Sequence, residues 1–207
     1  MRRTRAGPNS NPTRVGGAMA AKPSTERLFF ALWPDDAVRA RIAGNAARLQ
    51  GGSNPAARMV AAARYHLTLQ FIGTYAPLPS ALVEKAIAAG DAQDAGAFEL
   101  VLDRFGSFGH DRVAWAGPSR VPGALAALVE GLGRSLLACN TIASATPGSF
   151  VPHVTLGRQL AVPKAAAIEP VPWTVGAFSL FASGGADVGY RSLAQWSLRS
   201  LHRRPPR

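Results

Sequence analysis

The chain has 207 residues, 47% of them apolar, with 23 Lys and Arg, 12 Asp and Glu, one cysteine and a formal net charge of +11. That length and apolar content suit one medium domain, or two small lobes sharing a groove, and exclude disorder as a whole. Cys139 alone excludes an internal disulfide framework and any zinc site with more than one thiolate, and no stretch nears the ~18 apolar residues of a membrane span.

The charge sits at the ends. Met1–Arg27 and Arg199–Arg207 together carry +9, which leaves +2 for Leu28–Leu198. Residues 1–26, rich in Gly, Pro, Asn and Arg without an apolar period, read as a disordered basic extension, and 199–207 as a basic tail. Neither contains an aromatic stacking platform, so solvated chain is the better reading than an RNA-binding arm. The extension lacks the h-region of a secretory signal and the amphipathic stripe of a transit peptide, and Met19 offers an alternative start.

Arg27–Trp33 is an apolar run, expected as the first strand. Asp35 and Asp36 follow as helix-capping acids rather than paired catalytic carboxylates, and Val38, Ile42 and Leu49 predict a helix over Asp36–Leu49. Met59–Val60 and His66–Ile72 read as strands, Pro79–Ala89 as a helix. Phe98–Phe105 and Val113–Trp115 read as two strands joined through Gly106–Asp111. Pro122–Ala138 is the clearest helix, with Leu125, Leu128, Val129, Leu132 and Leu136 on one face. His153–Arg158 is another strand, Pro170–Pro172 a chain break, and Val175–Phe181 and Ser192–Leu198 the last strands. This order indicates α+β, with a rough duplication: each half offers a helix and a strand bearing H-x-T.

The two tetrads are His66-Leu67-Thr68-Leu69 and His153-Val154-Thr155-Leu156, 87 residues apart. Strand alternation puts each His on one face with its Thr. One H-x-T is weak, because a strand histidine among apolar residues is ordinarily a structural one. Two copies, each followed by Leu and one in each half, outweigh that reading. Two imidazoles near neutrality can serve as base and acid in one turnover, while two hydroxyls hold phosphoryl oxygens. In-line displacement at phosphorus needs that opposed pair.

The residues resemble the two-histidine (2H) phosphoesterase superfamily, in particular its bacterial RNA 2′,3′-cyclic 3′-phosphodiesterases, often labelled 2′–5′ RNA ligases. Arg27–Leu32 resembles the family's opening strand, Tyr65–Gly73 its H-L-T-L-x-F-L-G motif and Phe150–Arg158 its P-H-V-T-L-x-R motif. Phe178–Phe181 through Tyr190-Arg191 to Trp196–Leu198 resembles its last hairpin. The resemblance covers Arg27–Leu198, and the expected domain is 27–198. It implies a bilobal α+β fold with two antiparallel sheets lining a V-shaped groove and helices outside. It implies hydrolysis of an RNA 2′,3′-cyclic phosphate to a 2′-phosphomonoester without a metal or other cofactor, with 2′–5′ joining as a side activity. By motif, His66 would protonate the leaving O3′, His153 would activate water, and Thr68 and Thr155 would hold the phosphoryl oxygens.

Arg158, alternating with Leu156, is expected on the side of Thr155 and His153, where it could stabilise phosphate charge. Tyr190 and Arg191 are candidates for lining the groove. Arg64 shares the parity of His66 but is set aside as an ordinary surface residue. Gln70 is placed with His66 and Thr68, at a position often basic in relatives. Trp33, Phe71, Trp115, Trp173 and Trp196 are read as core, and His110 as a turn residue. No Asp, Glu, His set has metal-ligand spacing. The partner is an RNA with a 2′,3′-cyclic phosphate end or a small cyclic nucleotide, and the expectation is a cytoplasmic monomer with no membrane association. The competing readings are a non-catalytic RNA-end binding module, or the same chemistry on ADP-ribose cyclic phosphate, a U-tailed RNA or 2′–5′ oligoadenylate.

Overall fold

The computed structural model describes residues 25–49, 55–109, 112–142, 150–163, 166–184 and 189–200. Residues 1–24 of the basic extension, the C-terminal run beyond Ser200 and His110 lie outside the described residues, while Glu26, counted with the extension above, opens the first strand. Arg199, counted above with the tail, pairs with Asp94 at 3.0 Å and bonds through its backbone to Ala95 and Ala97.

The first strand, β1 (Glu26–Leu32), is buried at every position from Leu28 to Leu32. Such a continuous apolar run suits a strand covered on both faces. Leu28, Phe30 and Leu32 enter the main core, whereas Phe29 and Ala31 join Phe181 in a smaller cluster on the other face. Helix α1 (Asp36–Ala47) follows, and the Asp35 carboxylate accepts the Val38 N–H at 2.8 Å as its N-cap. Such a cap contributes about 1 kcal/mol. Asp36 pairs instead with Arg39. The buried Asn45 side chain exchanges two hydrogen bonds with the backbone of Glu169, at 2.8 and 2.9 Å, and so ties the chain before the eighth strand to α1.

The remaining elements are β2 (Arg58–Met59), a 3-10 turn (Ala62–Arg64), β3 (Leu67–Tyr75), α2 (Ser80–Asp91), β4 (Phe98–Leu102), β5 (Arg104–Phe108), β6 (Val113–Gly117), α3 (Gly123–Ala138), β7 (Val154–Arg158), β8 (Val171–Val175), β9 (Ala177–Gly184) and β10 (Tyr190–Ser197). Most element ends shift by one to three residues from the sequence reading, and three differences alter the layout. The run Phe98–Phe105 divides at Asp103, whose carboxylate accepts the N–H and Oγ–H of Ser119 at 2.6 and 2.5 Å. Pro172 does not break the chain but lies in β8 opposite Val101 of β4, where the edge position of β8 tolerates a missing N–H. Val175–Phe181 divides at Gly176, between β8 and β9.

The main sheet runs β10-β9-β1-β3-β7-β6-β5, with β2 also on β7, and all its named pairings are antiparallel. Between β3 and β7 the register contains a single pair, Leu67 with Val154. The sheet is thus two wings, β10-β9-β1-β3 and β7-β6-β5, joined at one rung, and β4 and β8 form a separate two-stranded sheet. Helices α2 and α3 pack on each other and against β3, β9 and β10, and α1 packs against β8. Leu125, Leu128, Leu132 and Leu136 of α3 are all at or near full burial. The α+β class, the antiparallel pairing and the flanking helices agree with the expectation from sequence.

Candidate active site

Each H-x-T motif lies at the start of a strand next to the rung between the wings. His66 precedes Leu67 of β3 and His153 precedes Val154 of β7, the two residues that pair there. The motifs therefore meet from opposite directions.

Both strands carry a bulge at the same motif position. On β3, Thr68 pairs with Ala31 and Gln70 with Phe30, which leaves Leu69 extra. On β7, Thr155 pairs with Trp115 and Gly157 with Ala114, which leaves Leu156 extra. An extra residue resets the alternation of side chains beyond it. Gln70 therefore does not share the face of His66 and Thr68: it is 3% exposed, and its amide donates to the Val129 carbonyl of α3. Phe71, read as core from sequence, is 52% exposed and lies along the groove. Arg158 does share a pocket with Thr155, but for a different reason than alternation. Strict alternation gives it the side of Leu156, and the bulge at Leu156 returns it to the side of Thr155. Phe71 and Arg158 stand five residues after His66 and His153, so the two wings present an aromatic ring and a guanidinium at matching places.

The two imidazoles are held alike. His66 Nδ1 bonds the carbonyl of Arg64 at 2.8 Å, and His153 Nδ1 bonds that of Val151 at 2.8 Å. A carbonyl only accepts, so Nδ1 carries the proton and the neutral ring keeps its Nε2 lone pair free. Burial lowers the pKa of both rings, and the backbone acceptor partly offsets this in each. After burial, positive charge on His153 and on Arg64 further disfavours charge on His66.

Their surroundings differ. His66 stacks on Trp33, with centroids 5.6 Å apart and planes 7° from parallel, and meets Phe29 at 5.4 Å and the edge of Tyr190 at 5.1 Å. His153 has two ring neighbours, Phe108 at 4.8 Å and Trp115 at 6.2 Å. Trp115 lies over Gly106, where a Cβ would overlap its ring. Trp33 and Trp115 thus touch the histidines as well as the protein interior, a role the sequence reading did not give them.

A pocket of about 500 Å³ joins the wings, lined by His66, Thr68, Thr155, Arg158 and Tyr190. Arg27, Arg58 and Arg64 line it as well. The reading of Arg64 as an ordinary surface residue is therefore corrected; its parity with His66 was the signal. Its guanidinium sits 5.3 Å from the centre of the Tyr190 ring. Arg191 does not reach the pocket. It alternates with Tyr190 and pairs with Glu26 at 2.8 Å. Among the described residues no acid lines the pocket, and no group of three or more His, Cys, Asp or Glu side chains is placed to hold a metal ion. No helix among them is long and apolar enough to cross a membrane.

A family model for the 2′-5′ RNA ligase superfamily matches residues 34–187. The chain belongs to this superfamily. It is 34% identical over 181 residues to the RNA 2′,3′-cyclic phosphodiesterase of Escherichia coli (strain K12), across 84% of this chain and 97% of that protein. The crystal structure of E. coli LigT complexed with 3′-AMP superposes with a TM-score of 0.68 at 28% identity, over 84% of this chain and 98% of the other. The crystal structure of TT0787 of Thermus thermophilus gives 0.66 at 27%, over 85% and 100%.

Proposed function

We propose that this protein is a cyclic phosphodiesterase that opens 2′,3′-cyclic phosphates, at RNA ends or on small nucleotides, to 2′-phosphomonoesters. The observation that carries the reading is the matched pair of histidines, each with Nδ1 held by a carbonyl two residues upstream and with its motif threonine on a common pocket. The sequence relation to the E. coli cyclic phosphodiesterase supplies the substrate class.

In the proposed step His153 Nε2 takes a proton from water as the water oxygen bonds phosphorus. The P–O3′ bond breaks, and protonated His66 gives its proton to O3′. The products are a 2′-phosphomonoester and a free 3′-hydroxyl, and proton exchange with solvent restores the pair. Thr68 and Thr155 donate to the non-bridging oxygens, where charge accumulates in the transition state. Arg158 adds a fixed cation beside them. The bound anion favours the imidazolium that burial disfavours in the free protein. A 5′-hydroxyl in place of water gives a 2′–5′ linkage by the same proton transfers.

The test is incubation with adenosine 2′,3′-cyclic phosphate in EDTA, with the product resolved by phosphorus NMR. The expected product is adenosine 2′-phosphate. Formation of the 3′-phosphate, or no turnover, refutes the reading.

A further inference from the structure

A cyclic phosphodiester carries one negative charge, yet four guanidiniums line the pocket that would receive it, with no acid among the described lining residues. Two of them, Arg58 and Arg158, are direct cross-strand neighbours. Like charges so placed destabilise a sheet unless an anion lies between or beside them. Among the described residues the arginines in ion pairs, Arg39, Arg48, Arg134, Arg191 and Arg199, all lie outside this pocket. One reacting phosphate leaves this cationic surface largely unused.

The register shows where a second anion fits. Cross-strand partners share a face, and the groove side of the β3-wing is built in three rows. Thr68 pairs with Ala31, and Ala31 with Ser179; Phe71 pairs with Phe29, and Phe29 with Phe181. In the third row Thr74 pairs with Arg27, Arg27 with Ser183, and Ser183 with Tyr190. The third row is thus polar and the middle row aromatic, while the first offers the groove its Thr68 beside the buried Ala31 and Ser179. Four residues of β1, Ala31 to Arg27, separate the outer rows by about 13 Å at the usual strand rise. A second groove pocket, of about 420 Å³, runs across all three rows from His66 and Thr68 to Arg27, Thr74, Ser183 and Tyr190. Tyr190 belongs to both pockets, and Arg64 covers its ring.

We propose that Arg27, Thr74, Ser183 and Tyr190, with Arg64 behind the tyrosine, form a second phosphate subsite. The preferred substrate then carries a 5′-phosphate, or the 5′ internucleotide phosphate, on the nucleoside that bears the cyclic phosphate. This rests on the cyclic phosphodiesterase reading for the identity of the first phosphate. The nucleoside spans the aromatic row and the reacting phosphate lies at Thr68 and Thr155; its two phosphates are closer together than the rows, and the Arg27 side chain, which lines both pockets, covers the rest of the span with charge-assisted bonds to the second phosphate, whose outer side faces the hydroxyls.

Calorimetry with adenosine 2′-phosphate and adenosine 2′,5′-bisphosphate tests the subsite without turnover. The 5′-phosphate should tighten binding by about tenfold or more. Arg27→Ala and Arg64→Ala should each remove most of that advantage, while Arg120→Ala, an exposed cation outside both pockets, should retain it. Equal affinities in the unmodified protein, an advantage kept by both pocket variants, or one lost equally in Arg120→Ala overturns the proposal. Turnover of adenosine 2′,3′-cyclic phosphate with and without a 5′-phosphate is measured in parallel. Failure to hydrolyse either defeats the cyclic phosphodiesterase reading, while the binding ratio still decides the subsite.

Discussion

The two wings use one device in two settings. Both hold an imidazole by Nδ1 at 2.8 Å from a carbonyl two residues upstream, both follow with a threonine, and both bulge at the next leucine. Around that shared device, His66 is enclosed by Trp33, Phe29 and Tyr190 with Arg64 nearby, whereas the rings that meet His153 among the described residues are Phe108 and Trp115. The similarity lies in what the backbone positions; the difference lies in what surrounds it. A symmetric pair can exchange the roles of acid and base, and in the proposed mechanism the asymmetric neighbours are what distinguish them.

Removing either imidazole tests the shared part most severely. His66→Ala and His153→Ala should each lower kcat by roughly 10²–10⁴-fold in steady-state assays. The double variant should be little worse than the weaker single one, because the two act as a unit. Additive losses would mean that the histidines act independently. Thr68→Val and Thr155→Val come next. Loss of one donor to a developing oxyanion costs roughly 10²–10³-fold, and a large inequality between the two would show that the phosphate leans on one wing.

The pH profile probes the difference between the wings. Burial lowers both imidazole pKa values, so each ring loses its proton at a lower pH than a free histidine. The species with one ring charged and one neutral is therefore most abundant on the acid side of about 6.5. The maximum of kcat/KM should lie there and decline as pH rises. In Arg64→Ala a cation that opposes charge on His66 is gone. One limb should then move to higher pH while the limb belonging to His153 stays in place. Movement of both limbs, or of neither, would contradict the assigned surroundings.

The smallest effect concerns Trp115, whose buried indole N–H has no hydrogen-bond partner among the described residues. Trp115→Phe removes that orphaned donor along with part of the packing. Chemical denaturation should register a change of less than about 1.5 kcal/mol, since the two contributions oppose each other.

The sequence made the histidine pair legible because both tetrads are local and repeated. The elements were also legible wherever their period was long, as in α3. What followed each tetrad was not. Alternation places Gln70 beside Thr68 and hides Phe71, and the bulge at Leu69 reverses both. Nothing in the apolar pattern of β3 marks Leu69 as the extra residue, because a bulge is a property of the pair of strands. The charge was misleading in another way. Summing Leu28–Leu198 gives +2, a nearly neutral domain, but position in space separates the charges. Acids pair with arginines elsewhere on the surface, and Arg27, Arg58, Arg64 and Arg158, up to 131 residues apart, face one pocket. Arg191 was the converse case, adjacent to Tyr190 in sequence and directed away from it to Glu26.

The single rung between Leu67 and Val154 lies beside the two histidines that the proposed mechanism must align. Each histidine belongs to its own wing, and in the sheet only one pair of described residues spans the β3–β7 seam directly beside them. Alignment across the seam therefore rests on side-chain packing more than on backbone bonds, since Leu67 and Leu69 of one wing and Val154 and Leu156 of the other belong to one core cluster. The chemistry tolerates little movement there, since misplacement by about 1 Å can cost 10²-fold in rate. Substitutions that alter the volume at Leu67 or Val154 act on the reaction through this seam, without touching a reacting atom.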